Sequence, residues 1–244
     1  MKAYLHAFAM CQSMFCSIPC PWAIWDEEAK DKMLLFLPAV GFEIGILWAA
    51  LAWIAQALDL AQLIKGALLC AYPYIVTGCI HLDGFMDVTD AVKSCRSLER
   101  RREILKDSHV GSFAVIGLCL LVLMQFSLFA NCDGDYRILI FIPIVSRSCS
   151  SLAVALLKPM STSQYAGQQA GKGHICGLAV MLIAALTVGF LFCKKYGFSL
   201  VGCLAGYAVA LHRGYKSLNG MNGDISGYAL TIGELCGIAV YALI

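Results

Sequence analysis

The sequence predicts an all-α fold: a polytopic, membrane-embedded helical bundle of about six or seven transmembrane helices with interfacial helices at one end. Three observations carry this. Of 244 residues, 60% are hydrophobic and only 14% charged, against about 25% charged in a soluble domain. Mean hydropathy is +0.75. Apolar runs long enough to cross a bilayer recur along the chain. A net charge of +2 on so apolar a chain excludes a disordered tail, and a pI near 7.9 gives no nucleic-acid surface.

The elements follow in order. Residues 1–20 are apolar but short and end in prolines. They lack a basic start followed by a cleavage site, so an interfacial or re-entrant segment is expected. Spans are expected at 33–58, 61–80, 111–130, 138–157, 175–193 and 225–244, with a shorter, Gly-rich one at 196–211. No internal repeat is visible, and residues 1–244 read as one membrane-embedded catalytic domain. The thirteen cysteines lie mostly inside apolar runs, where cysteine packs as a small hydrophobe.

Basic residues set the orientation. With 81–110 in the cytoplasm, seven alternating spans place thirteen Lys and Arg on that side. The opposite side holds four: Lys65, Arg137, Lys194 and Lys195. The positive-inside rule then predicts an integral protein of a prokaryotic inner (plasma) membrane with its polar segments facing the cytoplasm.

Asp83, Asp87 and Asp90 are spaced i, i+4, i+7. On a helix they stand at roughly 0°, 40° and −20°, in one stripe. Like charges so placed repel. One reading is a set of solvated surface acids; the other is a ligand set for a hard cation such as Mg²⁺ bridging substrate phosphates. The stripe's position at the end of an apolar span favours the second. Arg96, Arg100, Arg101, Arg102 and Lys106 follow. They can anchor lipid head groups, clamp a diphosphate, or do both. Asp107 is a fourth ligand or an N-cap-like acid, and His81 abuts the stripe as a hydrogen-bond donor.

The run Asn219–Gly227 is Gly-rich and precedes the last span. Asp224 is both a natural helix cap and a candidate ligand or base. Segment 158–174 reads as a polar loop able to close over a substrate. Glu43, Arg147 and Glu234 lie within spans, each about 14–15 Å deep at 1.5 Å per residue. Their equal depth allows pairing, and Arg147 is a candidate for the base of a substrate cavity.

HLDGFMDVTDA (81–91), then the basic stretch and ILKDSHVGSFAVI (104–116), resembles the adenosylcobinamide-GDP ribazoletransferase family, also called cobalamin synthase. The resemblance extends to residues 18–45, to Arg147 and to NGMNGDISGYALTIGE (219–234). The last block departs from the family's Gly-Gly-x-Thr-Gly-Asp run: Asn219 and Asn222 stand at the first Gly and the Thr.

The resemblance implies the final step of nucleotide-loop assembly in cobalamin (vitamin B12) biosynthesis. Adenosylcobinamide-GDP and α-ribazole, or its 5′-phosphate, would give adenosylcobalamin, or its 5′-phosphate, and GMP. It implies Mg²⁺ as cofactor, held by Asp83, Asp87 and Asp90. The remaining catalytic roles fall to Asp107 and Asp224. Phosphate and substrate binding fall to His81, Arg96, Arg100, Arg101, Arg102, Lys106, Arg147 and Asn222. Membrane lipid is a further partner; homo-oligomerisation and association with other nucleotide-loop assembly enzymes are left open. Two other readings are a CDP-alcohol phosphotransferase of phospholipid synthesis and a membrane transporter. Asp83-Gly84 opens like the phosphotransferase motif, but Asp87-Val88 stands where Ala-Arg is expected. The transporter reading rests on the midplane charges.

Overall fold

The computed structural model describes residues 2–22, 25–160 and 171–244, and among them it is helical with no strand. Helix α1 (Lys2–Phe15) is 14 residues long, about 21 Å, too short to cross a bilayer. It buries Ala7, Cys11 and Phe15 against Met33, Leu37, Val40 and Ile44 at the start of the first span. Its end is stitched to the end of α4, where the Ser17 amide donates to the Val76 carbonyl at 2.7 Å.

Short α2 (Lys30–Met33) and a 3-10 turn (Leu34–Phe36) lead into α3 (Leu37–Ala57). Pro38 lies in the first turn of α3, where a missing N–H costs nothing.

The span expected at 61–80 is present but ends early, at a sharp bend. Helix α4 (Gln62–Val76) ends after 15 residues, and α5 (Ile80–Lys93) leaves at 90°. The cause is local. Pro73 cannot bond the Leu69 carbonyl, and the buried Trp48 indole donates to that oxygen at 3.0 Å. Thr77 Oγ1 donates back to the Pro73 carbonyl at 2.7 Å. Gly78 and Cys79 then take φ +57° and +62°, which ends an α-helix.

Helix α6 (Leu98–Ile104) is capped by Ser97, and α7 (Ser112–Ala130) and α8 (Ile138–Leu156) follow. Helices α9 (Lys172–Cys193) and α10 (Phe198–Leu218) are joined by the 3-10 turn Lys194–Gly197. The joined stretch is 47 residues, some 70 Å if straight, more than two hydrocarbon cores. It doubles back at Lys194, which has φ +52°. The Phe190 and Phe198 rings meet at 5.4 Å across the turn. The two spans expected at 175–193 and 196–211 are thus a hairpin, with α10 running on to Leu218. Helix α11 (Gly223–Leu243) closes the chain.

Among the described residues, five helical runs are long and apolar enough to cross a membrane, or six with the bent α4–α5 pair. Helices α8 and α11 contribute long buried faces to the core, while α7 and α9 bury only four residues each. The C-terminal end of α4, the start of α7, the end of α8 and the start of α11 share one end of the bundle, where α5 and α6 also lie. Most of the loop expected at 158–174 lies outside the described residues. Its entry is paired to the turn before α11: the Met160 amide donates to the Met221 carbonyl, and the Met221 amide to the Lys158 carbonyl, both at 2.9 Å.

Candidate active site

The two faces of α5 have different fates. His81, Gly84, Phe85, Val88 and Thr89 are buried; Asp83 is exposed, and Asp87 and Asp90 are half-buried. The buried face runs along α11. Phe85 stacks on Tyr228 at 5.9 Å, and Thr231 Oγ1 donates to the His81 carbonyl at 3.3 Å. Between these, the helices cross so closely that a Cβ on Gly84 would stand 2.9 Å from the Asp224 backbone. Only glycine permits that approach.

The crossing brings Asp224 to the α5 carboxylates. Asp87 lies in the negative field of Asp83, Asp224 and Asp90. Among the described residues none of the four has an ion-pair partner. Like charges gathered in this way repel one another, and a bound cation would offset that repulsion. Asp90 has a second role: a Cβ on Gly111, the cap of α7, would overlap its carboxylate. There it faces the positive end of that helix.

Asn222 caps α11. Its Oδ1 accepts from the Ile225 amide at 3.0 Å, and its Nδ2 donates to Asp224 Oδ2 at 2.6 Å. The asparagine that departs from the family run therefore fixes the rotamer of Asp224.

The four acids fit Mg²⁺ in kind, being hard oxygen donors. Among the described residues no three His, Cys, Asp or Glu side chains are close enough to hold an ion by themselves. Magnesium keeps several waters and takes one or two carboxylates plus substrate phosphates, so a protein-only cage is not required.

The basic residues divide. Arg102 donates through Nε and an Nη to the Leu218 and Asn219 carbonyls at 3.0 and 2.8 Å, tying α6 to the end of α10. Arg100 pairs with Glu103 at 2.6 Å on the surface. Arg101 keeps a buried Nε with no partner among the described residues. Arg96 and Lys106 are exposed. Asp107 is not tied to the α5 stripe. It accepts from the His109 amide at 3.0 Å and lies 2.7 Å from His109 Nδ1; these bonds hold its carboxyl below the usual range.

Of the three midplane charges, two pair. Arg147 Nη1 donates to Glu234 Oε1 at 2.6 Å, and Ser146 Oγ donates to the same oxygen at 2.7 Å. Glu43 is half-buried outside this pair. Arg147 is 1% exposed, and the cavity it shares with His81 and Gln125 is about 10 Å³, room for about one water. Instead of flooring an open cavity, it braces the bundle beneath His81. Arg147→Met, which leaves Glu234 buried and unpaired, is expected to cost about 3–5 kcal/mol. Thermal unfolding in detergent checks this, with Arg147→Met/Glu234→Leu recovering most of the loss.

Sequence reasoning missed the cavity beside the acids. It measures about 90 Å³, and its lining includes Phe15, His81, Ser150, Asp224 and Ser226. Phe15 stacks on the His81 ring at 5.9 Å, His81 Nε2 is buried with no partner among the described residues, and Ser150 and Ser226 hydrogen-bond to each other. A wider groove of about 480 Å³ opens next to it between Ser13–Ser17 and Thr77–Asp83. The signal was present in the polar run SRSCSS (146–151) inside a span.

Fold and site together define a polytopic helical membrane protein with an acidic, partly enclosed site at one end of its bundle. The family model for cobalamin-5-phosphate synthase matches residues 7–242. Curated relatives agree over full length. An adenosylcobinamide-GDP ribazoletransferase of Clostridium perfringens strain SM101 is 37% identical, covering 100% of both chains. One of Clostridium botulinum strain Alaska E43 is 31% identical over 98% of this chain and 97% of the relative. One of Listeria welshimeri is 35% identical over 94% and 96%. No solved structure gives a significant match. The chain belongs to the cobalamin-5-phosphate synthase family and is an enzyme, a transferase of cobalamin biosynthesis. That membership sets aside the phospholipid phosphotransferase and the transporter.

Proposed function

We propose that this single-domain enzyme joins adenosylcobinamide-GDP to α-ribazole, or to α-ribazole 5′-phosphate, releasing GMP and using Mg²⁺. The observation that carries the reading is the crossing at Gly84, which sets Asp224 against an unpaired carboxylate stripe. The substrates are those in the relatives' names and the resemblance.

In the reaction, the ribazole hydroxyl oxygen bonds to the phosphorus attached to cobinamide, and the bond from that phosphorus to GMP breaks. Asp83 and Asp87 would hold the cation, which when bound neutralises diphosphate charge and stabilises the leaving GMP. Asp224, oriented by Asn222, takes the hydroxyl proton and returns it to solvent or the leaving phosphate. The buried Nε2 of His81 binds a substrate oxygen or nitrogen in the cavity. Arg101, with Arg96 and Lys106, meets phosphate oxygens, while Arg102 and Arg147 hold the frame. Positioning and charge neutralisation are what phosphoryl transfer chiefly asks of a protein.

The site faces the cytoplasm of a prokaryotic cell, on the side favoured by the basic residues. The expected result is GMP release from adenosylcobinamide-GDP by purified protein only when α-ribazole, or its 5′-phosphate, and Mg²⁺ are both present. Release without either ribazole compound, or undiminished by EDTA, would overturn the reading.

A further inference from the structure

A second concavity lies outside the acidic site, on the wall of the bundle. It is a groove of about 310 Å³ between α5, α7 and α11, with α10 at one end. Its walls include Phe85, Leu120, Met124 and Leu235. Leu120 and Met124 are 64% and 55% exposed, so the groove opens toward the hydrocarbon. The lining residues Gly117–Met124 on α7 and Tyr228–Leu235 on α11 each cover eight residues, a rise of about 10 Å along the helix axis. That is the length of a partial acyl chain.

The polar end of the groove is marked by charge. Lys93, in the last turn of α5, and Arg213, near the end of α10, both line it. Among the described residues neither makes an ion pair or side-chain hydrogen bond, and no acid lines the groove. Apolar walls give no preference for one lipid over another, because every chain presents the same methylenes. Two unpaired cations at the head-group end do give one.

We propose that this groove is a binding site for one anionic phospholipid, its chain against α7 and α11 and its phosphate between Lys93 and Arg213. The bound lipid fills the gap between α5 and α7 and so supports the helix that carries the carboxylates from its lipid side. The proposal is independent of which substrates the enzyme uses.

Native mass spectrometry of the full-length protein in detergent, supplied with phosphatidylglycerol or phosphatidylcholine, tests it. The expected result is one retained phosphatidylglycerol, favoured over phosphatidylcholine by roughly tenfold. Lys93→Gln/Arg213→Gln, which changes only exposed side chains, should erase the preference. Leu120→Trp, which fills the groove, should reduce retention of either lipid. Equal retention of the two lipids by the unaltered protein, a preference that survives in the double variant, or a dimer that retains no lipid overturns the proposal.

Discussion

Asp83→Asn is expected to lower GMP formation by about a thousandfold or more while leaving membrane insertion intact. Asp83 is the exposed acid of the stripe and lines the wider groove, so its carboxylate contributes little to packing. On the proposed reading, removing its charge would weaken cation binding; it also relieves repulsion on Asp87 and Asp224. The variant should therefore unfold at the same temperature as the parent, or slightly higher, in metal-free detergent. Loss of turnover without loss of stability is the signature of a group kept for chemistry. Turnover within tenfold of the parent would remove Asp83 from the cation site. A parallel fall in unfolding temperature would make it a structural residue instead.

The second large effect needs no change to any charged group. Gly84→Val is expected to reduce turnover by at least about a hundredfold. A Cβ at position 84 meets the Asp224 backbone at 2.9 Å, and backbone cannot move aside as a flexible side chain does. Helices α5 and α11 must separate by about an ångström, carrying Asp83 and Asp87 away from Asp224. Misplacement of that size is worth about two orders of magnitude. Gly84→Ala should fall between the parent and valine. If GMP formation in Gly84→Val stayed near the parent level, the α5–α11 crossing would not be what assembles the site.

The legible parts of the molecule were those governed by single-segment rules. Run length and hydropathy gave the apolar segments, including the hairpin arm at 196–211, because a bilayer sets one length for every crossing. Helical spacing put Asp83, Asp87 and Asp90 on one stripe. Equal depth made pairing of Arg147 with Glu234 possible, but depth alone does not select between Glu234 and Glu43. That choice depends on which helices are neighbours. The boundary near residue 80 was legible, but the right angle taken at Thr77–Cys79 was not. Pro73 is tolerated inside many membrane helices, and the Leu69 carbonyl it leaves free is met by the Trp48 indole, a partner that no local pattern reveals. The role of Arg102 was hidden in the same way, since its acceptors lie 116 and 117 residues away in the chain. The Phe15–His81–Ser150–Ser226 cavity draws on four separate helices, and no local pattern announces such a gathering.

The right-angle turn after α4 has one more implication. Because it needs only three residues, an apolar helix passes almost directly into the helix that carries the carboxylates, with no long linker between them. On the proposed reading, the place where a bilayer-adapted segment gives out would then also be the place where both reactants meet, so the bend itself would set the level at which they are aligned.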